Sequence, residues 1–314
     1  MPNTRKGLTK KKISAILGIC LLILSIIMTF SSKLGLSDFL PSWEKLFYSA
    51  GLSDDKQETD SEFSVHFLDV GQGDCIFVKS NGKALLIDSG ESSNENKIID
   101  YINKEKISVL DYVIITHPHT DHIGSMAKVI EKIEVKNIIM PEIKASLVPT
   151  TKKYENLLLA ISKSGANVIK AENGKSFELG NALLQIIAPI NDYDDLNNYS
   201  VVARLSYGNN SFLFMGDAEK QAESDIIKSG ADLRSNVIKI GHHGSSSSTS
   251  KELLEIVKPQ LAIISCGENN SYGHPDKKVT DLLEKYSVSI KRTDKNGNIV
   301  ITSDGKNIEV LTER

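Results

Sequence analysis

Residues 112–124 read YVIITHPHTDHIG, and four potential metal ligands fall within six positions: His117, His119, Asp121 and His122. A β-branched strand pattern ends at Thr116 and a helical pattern opens near His122, so the four lie on the turn between a buried strand and a helix. Isolated histidines are ordinarily packing or surface residues. Three of them with an aspartate in one turn point instead to a metal centre. Imidazole and carboxylate together suit Zn, Mn or Fe, and this donor set does not select among them. His-x-His brings two rings to one ion from a short turn, while the following Asp-His pair can serve a neighbouring ion. The chemistry of such a centre is hydrolysis, because a divalent ion makes water nucleophilic near neutral pH.

The elements that must position this turn are short apolar runs alternating with amphipathic stretches from residue 63 onward. Strand patterns include FSVHFLDV (63–70), KALLID (83–88), DYVIIT (111–116), SFLFMG (211–216), NVIKIG (236–241) and QLAIIS (260–265). Helical patterns lie at 95–106, 122–133, 153–164, 219–229, 250–257 and 276–286. Asn81-Gly82 reads as a tight hairpin, and Asn296-Gly297 as a second one near the C-terminus. A strand meander, strand–helix units, a second meander and further strand–helix units predict two mixed sheets between helical layers.

Composition narrows the class. With 40% hydrophobic and 25% charged residues the chain is not intrinsically disordered, and three Cys in 314 residues exclude a disulfide scaffold. The formal charge of −3 hides an asymmetry: the first twelve residues carry five basic groups and no acid, which leaves the rest at −8. A uniformly basic nucleic-acid binder is excluded. Ile13–Phe30 is a run of 18 uncharged residues, roughly 27 Å as a helix, and no second such run makes the chain polytopic. We expect a basic cytoplasmic tail over 1–12, one transmembrane helix over 13–32, a linker over 33–62 and a domain over 63–314. By the positive-inside rule we expect a single-pass protein of the cell membrane with its catalytic domain extracellular; a cleaved signal peptide is the alternative reading of the same run.

HPHTDH matches the H-x-H-x-D-H signature of the metallo-β-lactamase fold. FLDVGQGDCIFV (67–78), LLIDSG (85–90), NNYSVVARL (197–205), FLFMGDAE (212–219), IKIGHHGSSSS (238–248) and YGHP (272–275) extend the match. Their order resembles the extracytoplasmic metallo-β-lactamase domain of ComEC-type DNA-uptake proteins over essentially 63–312, without the multi-span channel region. The resemblance implies an α/β (α+β) four-layer αββα sandwich holding one or two divalent ions, Zn or Mn. It places His117 and His119 on one ion, Asp121 and His122 on the second, and Asp217 between them; by itself, Asp217 reads as a helix N-cap. One of His242 and His243 is the last ligand. His242 is favoured as the first residue beyond the strand, which leaves His243 to contact substrate. Asp88 orients ligands from behind.

Many relatives of this fold add a third His to the first ion. Here no His occurs between 122 and 242, and Asn198 and Ser200 stand in its place. The first ion would then be held by His117, His119, Asp217 and water or Asn198. Asp69, Gln72 and Asp74 fall near the pocket by resemblance, though alone they are turn residues. Asp121 or Asp217 would orient the attacking water. His274 would protonate the leaving oxygen or hold a phosphate; alone, it is a turn residue before Pro275.

The implied activity is a phosphodiesterase or nuclease acting on an anionic phosphodiester, DNA included, with a separate DNA-uptake channel protein as partner. The alternatives are a hydrolase of a small ester or cell-envelope phosphodiester, and a catalytically weak binding module, which has no need of the full ligand set. His66 reads as a packing residue, and Cys75 and Cys266 as buried thiols.

Overall fold

The computed structural model describes residues 61–314; the membrane helix expected over 13–32 and the linker up to residue 60 lie outside the described residues. Among the described residues no helix is long and apolar enough to cross a membrane.

Strand alternation sets the layers. In FSVHF (β1, Phe63–Phe67), Phe63, Val65 and Phe67 point one way and Ser64 and His66 the other. The chain continues through β2 (Ile76–Ser80), β3 (Lys83–Ile87), helix α1 (Glu95–Lys104) and β4 (Val109–Ile114). It goes on through α2 (Thr120–Ile123), α3 (Met126–Lys132), β5 (Glu134–Met140), α4 (Lys152–Ser164) and β6 (Asn167–Lys170). A second meander follows: β7 (Ser176–Leu179), β8 (Ala182–Ile186), β9 (Ala203–Tyr207) and β10 (Asn210–Phe214). Then come α5 (Lys220–Lys228), β11 (Val237–Lys239), α6 (Lys251–Val257), β12 (Leu261–Ile264), α7 (Lys277–Lys285) and β13 (Ser289–Arg292). Short α8 (Thr293–Asn296) leads to β14 (Ile299–Ser303) and β15 (Ile308–Thr312).

These strands make two mixed sheets, ordered β15-β14-β1-β2-β3-β4-β5-β6 and β13-β12-β11-β10-β9-β8-β7. Three apolar interfaces separate four layers, as expected for the αββα sandwich. Phe63, Phe67, Ile76 and Leu85 meet Leu205, Phe212 and Phe214 between the sheets. The opposite face of the first sheet packs Phe77 and Leu86 against Ile98, Val129 and Leu157 of α1, α3 and α4. Leu213 and Ile238 of the second sheet pack against Ile226, Leu254 and Leu283 of α5, α6 and α7. Burial on both faces of each sheet accounts for the near-continuous apolar runs in the central strands.

Asn81-Gly82 forms the expected hairpin between β2 and β3, with both residues at positive φ (48° and 76°). Asn296-Gly297 does not. It lies where the chain leaves α8 and crosses from β13, paired with β12, to β14, which joins β1 in the other sheet. The C-terminal hairpin is the β14–β15 pair. An Asn-Gly pair specifies local backbone, whereas the strand that pairs next is set by which sheet has an open edge.

His66 confirms the packing expectation, with Nδ1 2.7 Å from the Tyr101 hydroxyl and Nε2 2.7 Å from Ser64 Oγ. Burial, helped by the Lys79 charge, lowers its pKa to about 3. The unfolded chain binds this proton near pH 6.5 and the folded chain does not. Stability therefore falls as pH drops from 6.5 toward 3, by up to about 1.4 kcal/mol per pH unit from this residue. In urea unfolding at pH 7 and pH 5, His66→Gln should lose less stability on acidification than the parent. An identical loss would mean that the folded chain protonates His66.

Candidate metal centre

The site gathers at strand C-terminal ends from both sheets: Asp88 after β3, Thr116 and His117 beyond β4, Asp217 beyond β10, and His242 and His243 beyond β11. Open α/β sheets offer their ligand crevices at such ends. Hydrogen bonds on the far side of each ring decide which nitrogen faces inward. Thr116 Oγ1 donates to Asp88 Oδ2 at 2.6 Å and therefore accepts from His117 Nδ1 at 3.1 Å. That leaves the His117 Nε2 lone pair facing His119 Nδ1 at 3.0 Å and Asp217 Oδ2 at 3.7 Å. His122 Nδ1 donates to Asp88 Oδ2 at 2.7 Å, and its Nε2 lies 3.2 Å from Asp217 Oδ2. His243 Nδ1 donates to the Ser265 carbonyl at 3.0 Å, which sets its Nε2 3.2 Å from Asp121 Oδ2 and 3.5 Å from Asp217 Oδ2. Outer hydrogen bonds of this kind fix the tautomer of ligating histidines.

The electrostatics centre on Asp217. Burial alone would raise its carboxyl pKa, but the His122 and His243 charges hold it well below the carboxylate range. Burial would likewise keep His122 and His243 neutral. Asp217 and Asp88 push His122 well above the ordinary histidine value, and Asp217, Asp121 and Asp74 raise His243 to about 9. His117 and His119 move the other way, lowered chiefly by burial, with the neighbouring His122 charge adding to it. Buried Asp217 Oδ1 and His122 Nε2 have no hydrogen-bond partner, and donor atoms of Asp121, His122, Asp217 and His243 all lie within 4.8 Å of one another. Two carboxylates and two inward-facing imidazoles at that spacing fit a divalent cation.

The structure brings together His117, His119, Asp121, His122 and Asp217, and between the two adjacent histidines it differs from the sequence-based preference. His243, not His242, completes the compact group with Asp121 and His122. The reason is backbone: both histidines have positive φ (48° and 54°), which turns both rings inward instead of alternating them. Asn198 is not free to ligate. Its Oδ1 accepts from the backbone N–H groups of Glu219 and Ala222 at the start of α5, and its Nδ2 donates to Asp195. Ser200 Oγ sits 3.3 Å from His117 Nδ1 and accepts the Asp217 N–H at 3.0 Å, bracing both residues.

Asp88 stands behind His122 and Thr116, as expected for an orienting residue. Asp69 leaves the pocket: its Oδ2 pairs with Arg314 at 2.7 Å and its Oδ1 accepts the Gly71 N–H. Asp74 lies beneath the site with one oxygen 3.4 Å from His243 Nδ1 and the other 2.8 Å from Lys239 Nζ.

Lys239 was not singled out in the sequence, although a lysine inside the apolar run VIKIG is the signal that marks it. It is fully buried, and its ammonium neutralises Asp74. Lys239→Met should destabilise the fold by about 3–5 kcal/mol in urea unfolding, because buried Asp74 would lose its ammonium partner. Adding Asp74→Leu should recover most of that loss. A neutral single variant would show that the pair contributes nothing.

The centre opens into a cavity of about 400 Å³ whose lining includes Gln72, His119, Asp121, His242, Tyr272 and His274. His274 stacks on exposed Tyr272, with ring centroids 5.8 Å apart at 23°. Burial first, then the His242 and His243 charges, lower its pKa, so its ring is neutral at pH 7. Asn270 clamps its backbone from both sides.

A family profile described as Metallo-beta-lactamase superfamily matches residues 68–268. ComE operon protein 3 of Bacillus subtilis (strain 168) is 32% identical over 258 residues, 76% of this chain and 33% of that protein. Competence protein ComA of Neisseria gonorrhoeae is 28% identical over 244 residues, 76% of this chain and 32% of that protein. The chain thus spans about a third of the length of these curated relatives. Among solved structures, the metallo-beta-lactamase fold protein YhfI from Bacillus subtilis aligns with a TM-score of 0.50 at 13% identity, covering 79% of this chain and 100% of that one. An H-x-H-x-D-H turn at a strand end, a carboxylate shared by four imidazoles, the αββα layering and the profile match agree: the chain belongs to the metallo-beta-lactamase superfamily, and its homologues include ComEC-type competence proteins.

Proposed function

We propose that the chain is a metal-dependent phosphodiesterase, with DNA the substrate class that its competence relatives favour. The observation that carries this reading is the donor set around Asp217 at the floor of an open cavity. His117, His122 and His243 approach its Oδ2, with His119 3.0 Å from His117 and Asp121 3.2 Å from His243. Such a set suits Zn or Mn, one ion or two. Bound there, divalent ions lower the pKa of water toward 7 and neutralise the attacking and leaving oxygens of a phosphodiester.

The chain's own residues position the reactants. Asp121, only partly buried at the cavity wall, accepts a hydrogen bond from the attacking water and aims it. Neutral His274 suits hydrogen bonding to a phosphoryl oxygen better than acting as a strong proton donor, because its pKa is lowered. His243 is committed to the ligand group, so its expected contact with substrate gives way to ligation. The body charge of −8 disfavours an extended grip on duplex DNA, whereas up to two divalent ions would add about +4 at the site and draw a phosphodiester there.

We further infer that the basic tail and apolar run anchor the domain to the cell membrane with the site outside. A separate DNA-uptake channel protein is the partner we propose, in keeping with the competence names of the curated relatives.

Elemental analysis, combined with cleavage of plasmid DNA and of bis-p-nitrophenyl phosphate in Mn or Zn, tests the function. Bound metal with turnover of both substrates is expected. Absence of metal and turnover would overturn the enzyme reading. Cleavage of the small diester with intact DNA would move the substrate to a small ester or cell-envelope phosphodiester.

A further inference from the structure

We propose that His242 supplies the third protein nitrogen of the first metal position, in place of the histidine that this chain lacks between residues 122 and 242. The proposal rests on the metal centre described above and goes beyond the resemblance, which takes one of His242 and His243 as a ligand, by giving both rings to the centre.

Two consecutive non-glycine residues in the left-handed region are rare, and His242 and His243 are such a pair. The consequence is that both rings turn toward the same atom. Asp217 Oδ2 lies 3.5 Å from His243 Nε2 and 3.8 Å from His242 Nε2. His243 stands on the Asp121 side. His242 stands in the cavity wall with His119.

The outer face of the His242 ring is arranged like those of the other inward-facing histidines. Its Nδ1 lies 3.1 Å from Glu219 Oε1 and 3.2 Å from Ser247 Oγ. A carboxylate only accepts, so Nδ1 carries the proton and the Nε2 lone pair faces Asp217. Glu219 is itself held, because Oε1 also accepts from Ser247 Oγ at 3.0 Å and Asn197 Nδ2 at 3.2 Å. The serine run therefore has a structural purpose that its sequence does not announce: Ser247 and Glu219 orient His242.

Spacing agrees with ligation. Two donors that share one ion at about 2.0–2.2 Å each lie roughly 3–3.8 Å apart. His117 Nε2 to His119 Nδ1 is 3.0 Å, His117 Nε2 to Asp217 Oδ2 is 3.7 Å and His242 Nε2 to Asp217 Oδ2 is 3.8 Å. Asn198 and Ser200, which occupy the sequence position of the missing histidine, are engaged elsewhere.

The test counts ions and needs no substrate. The full chain is stripped with chelator and titrated with Mn(II) or Zn(II) alone by calorimetry, and bound metal is then measured after desalting. The parent should bind two ions. His242→Asn, a residue that tolerates the left-handed backbone, should bind one, at the affinity of the retained site. Glu219→Gln keeps all ligands and should bind two, with the affinity of one lowered about 10- to 100-fold. Retention of both ions at parental affinity in His242→Asn would overturn the proposal, as would a parent that binds one ion with His242→Asn unchanged. Two ions bound without DNA cleavage would count against the phosphodiesterase reading and leave this one standing.

Discussion

Asp217→Asn is expected to abolish phosphodiester cleavage while leaving a folded domain. Asp217 Oδ2 lies between 3.2 and 3.8 Å from nitrogens of His117, His122, His242 and His243, so this oxygen ties both halves of the centre together. Asparagine keeps the volume and the N–H donated to Ser200 but removes the buried negative charge. Loss of one positioned acid–base group costs roughly 10²–10⁴ in rate. The cost here should reach the upper end, because metal retention and reactant positioning fail together. Hydrolysis of bis-p-nitrophenyl phosphate, bound metal and a thermal melt together check this. A variant that keeps parental turnover would remove Asp217 from the chemistry, and an unfolded variant would mark the carboxylate as structural.

The second large effect comes from a residue with no side chain. Gly73 has φ +133°, and a Cβ built on it would lie 2.2 Å from the carbonyl oxygen of Asp121. That same oxygen accepts the Asp74 N–H at 3.2 Å, so the glycine bend and the metal turn are in direct backbone contact. Gly73→Ala must therefore displace the Asp121 backbone or the glycine bend itself. Backbone strain and overpacking each cost about 1–3 kcal/mol, so a loss of roughly 2–6 kcal/mol is expected in urea unfolding. Displacing Asp121 by an ångström should cost a further ~10²-fold in turnover. Gly71→Ala is the control. It has positive φ but nothing within 4 Å of its added Cβ, so only about 1–2 kcal/mol of left-handed strain is expected, with turnover retained. Equal effects from the two substitutions would show that close packing at Gly73 is immaterial.

Much of the fold was legible because it is local. The alternation in FSVHF and the apolar faces of α1, α4 and α7 identify the elements, and the run from His117 to His122 identifies the chemistry, all within single segments. Asn81-Gly82 was readable because a two-residue turn carries its own backbone preference. Asn296-Gly297 was misread as a hairpin because nothing local records that β14 joins the opposite sheet. Asp69 was placed in the pocket with its neighbours, yet it turns outward to Arg314, a partner 245 positions away.

The site divides in the same way. Residue type and spacing within the sequence pointed to a divalent metal at the His117–His122 turn, and the family resemblance added Asp217 as a distant carboxylate. Only the tertiary structure decided which nitrogen of each ring faces inward, that His243 joins Asp121 and His122, that Asn198 is spent on the start of α5, and that Lys239 neutralises Asp74. The physical reason is that donor chemistry belongs to the residue, whereas tautomer, charge compensation and ring direction depend on groups that meet only when the two sheets close on one another.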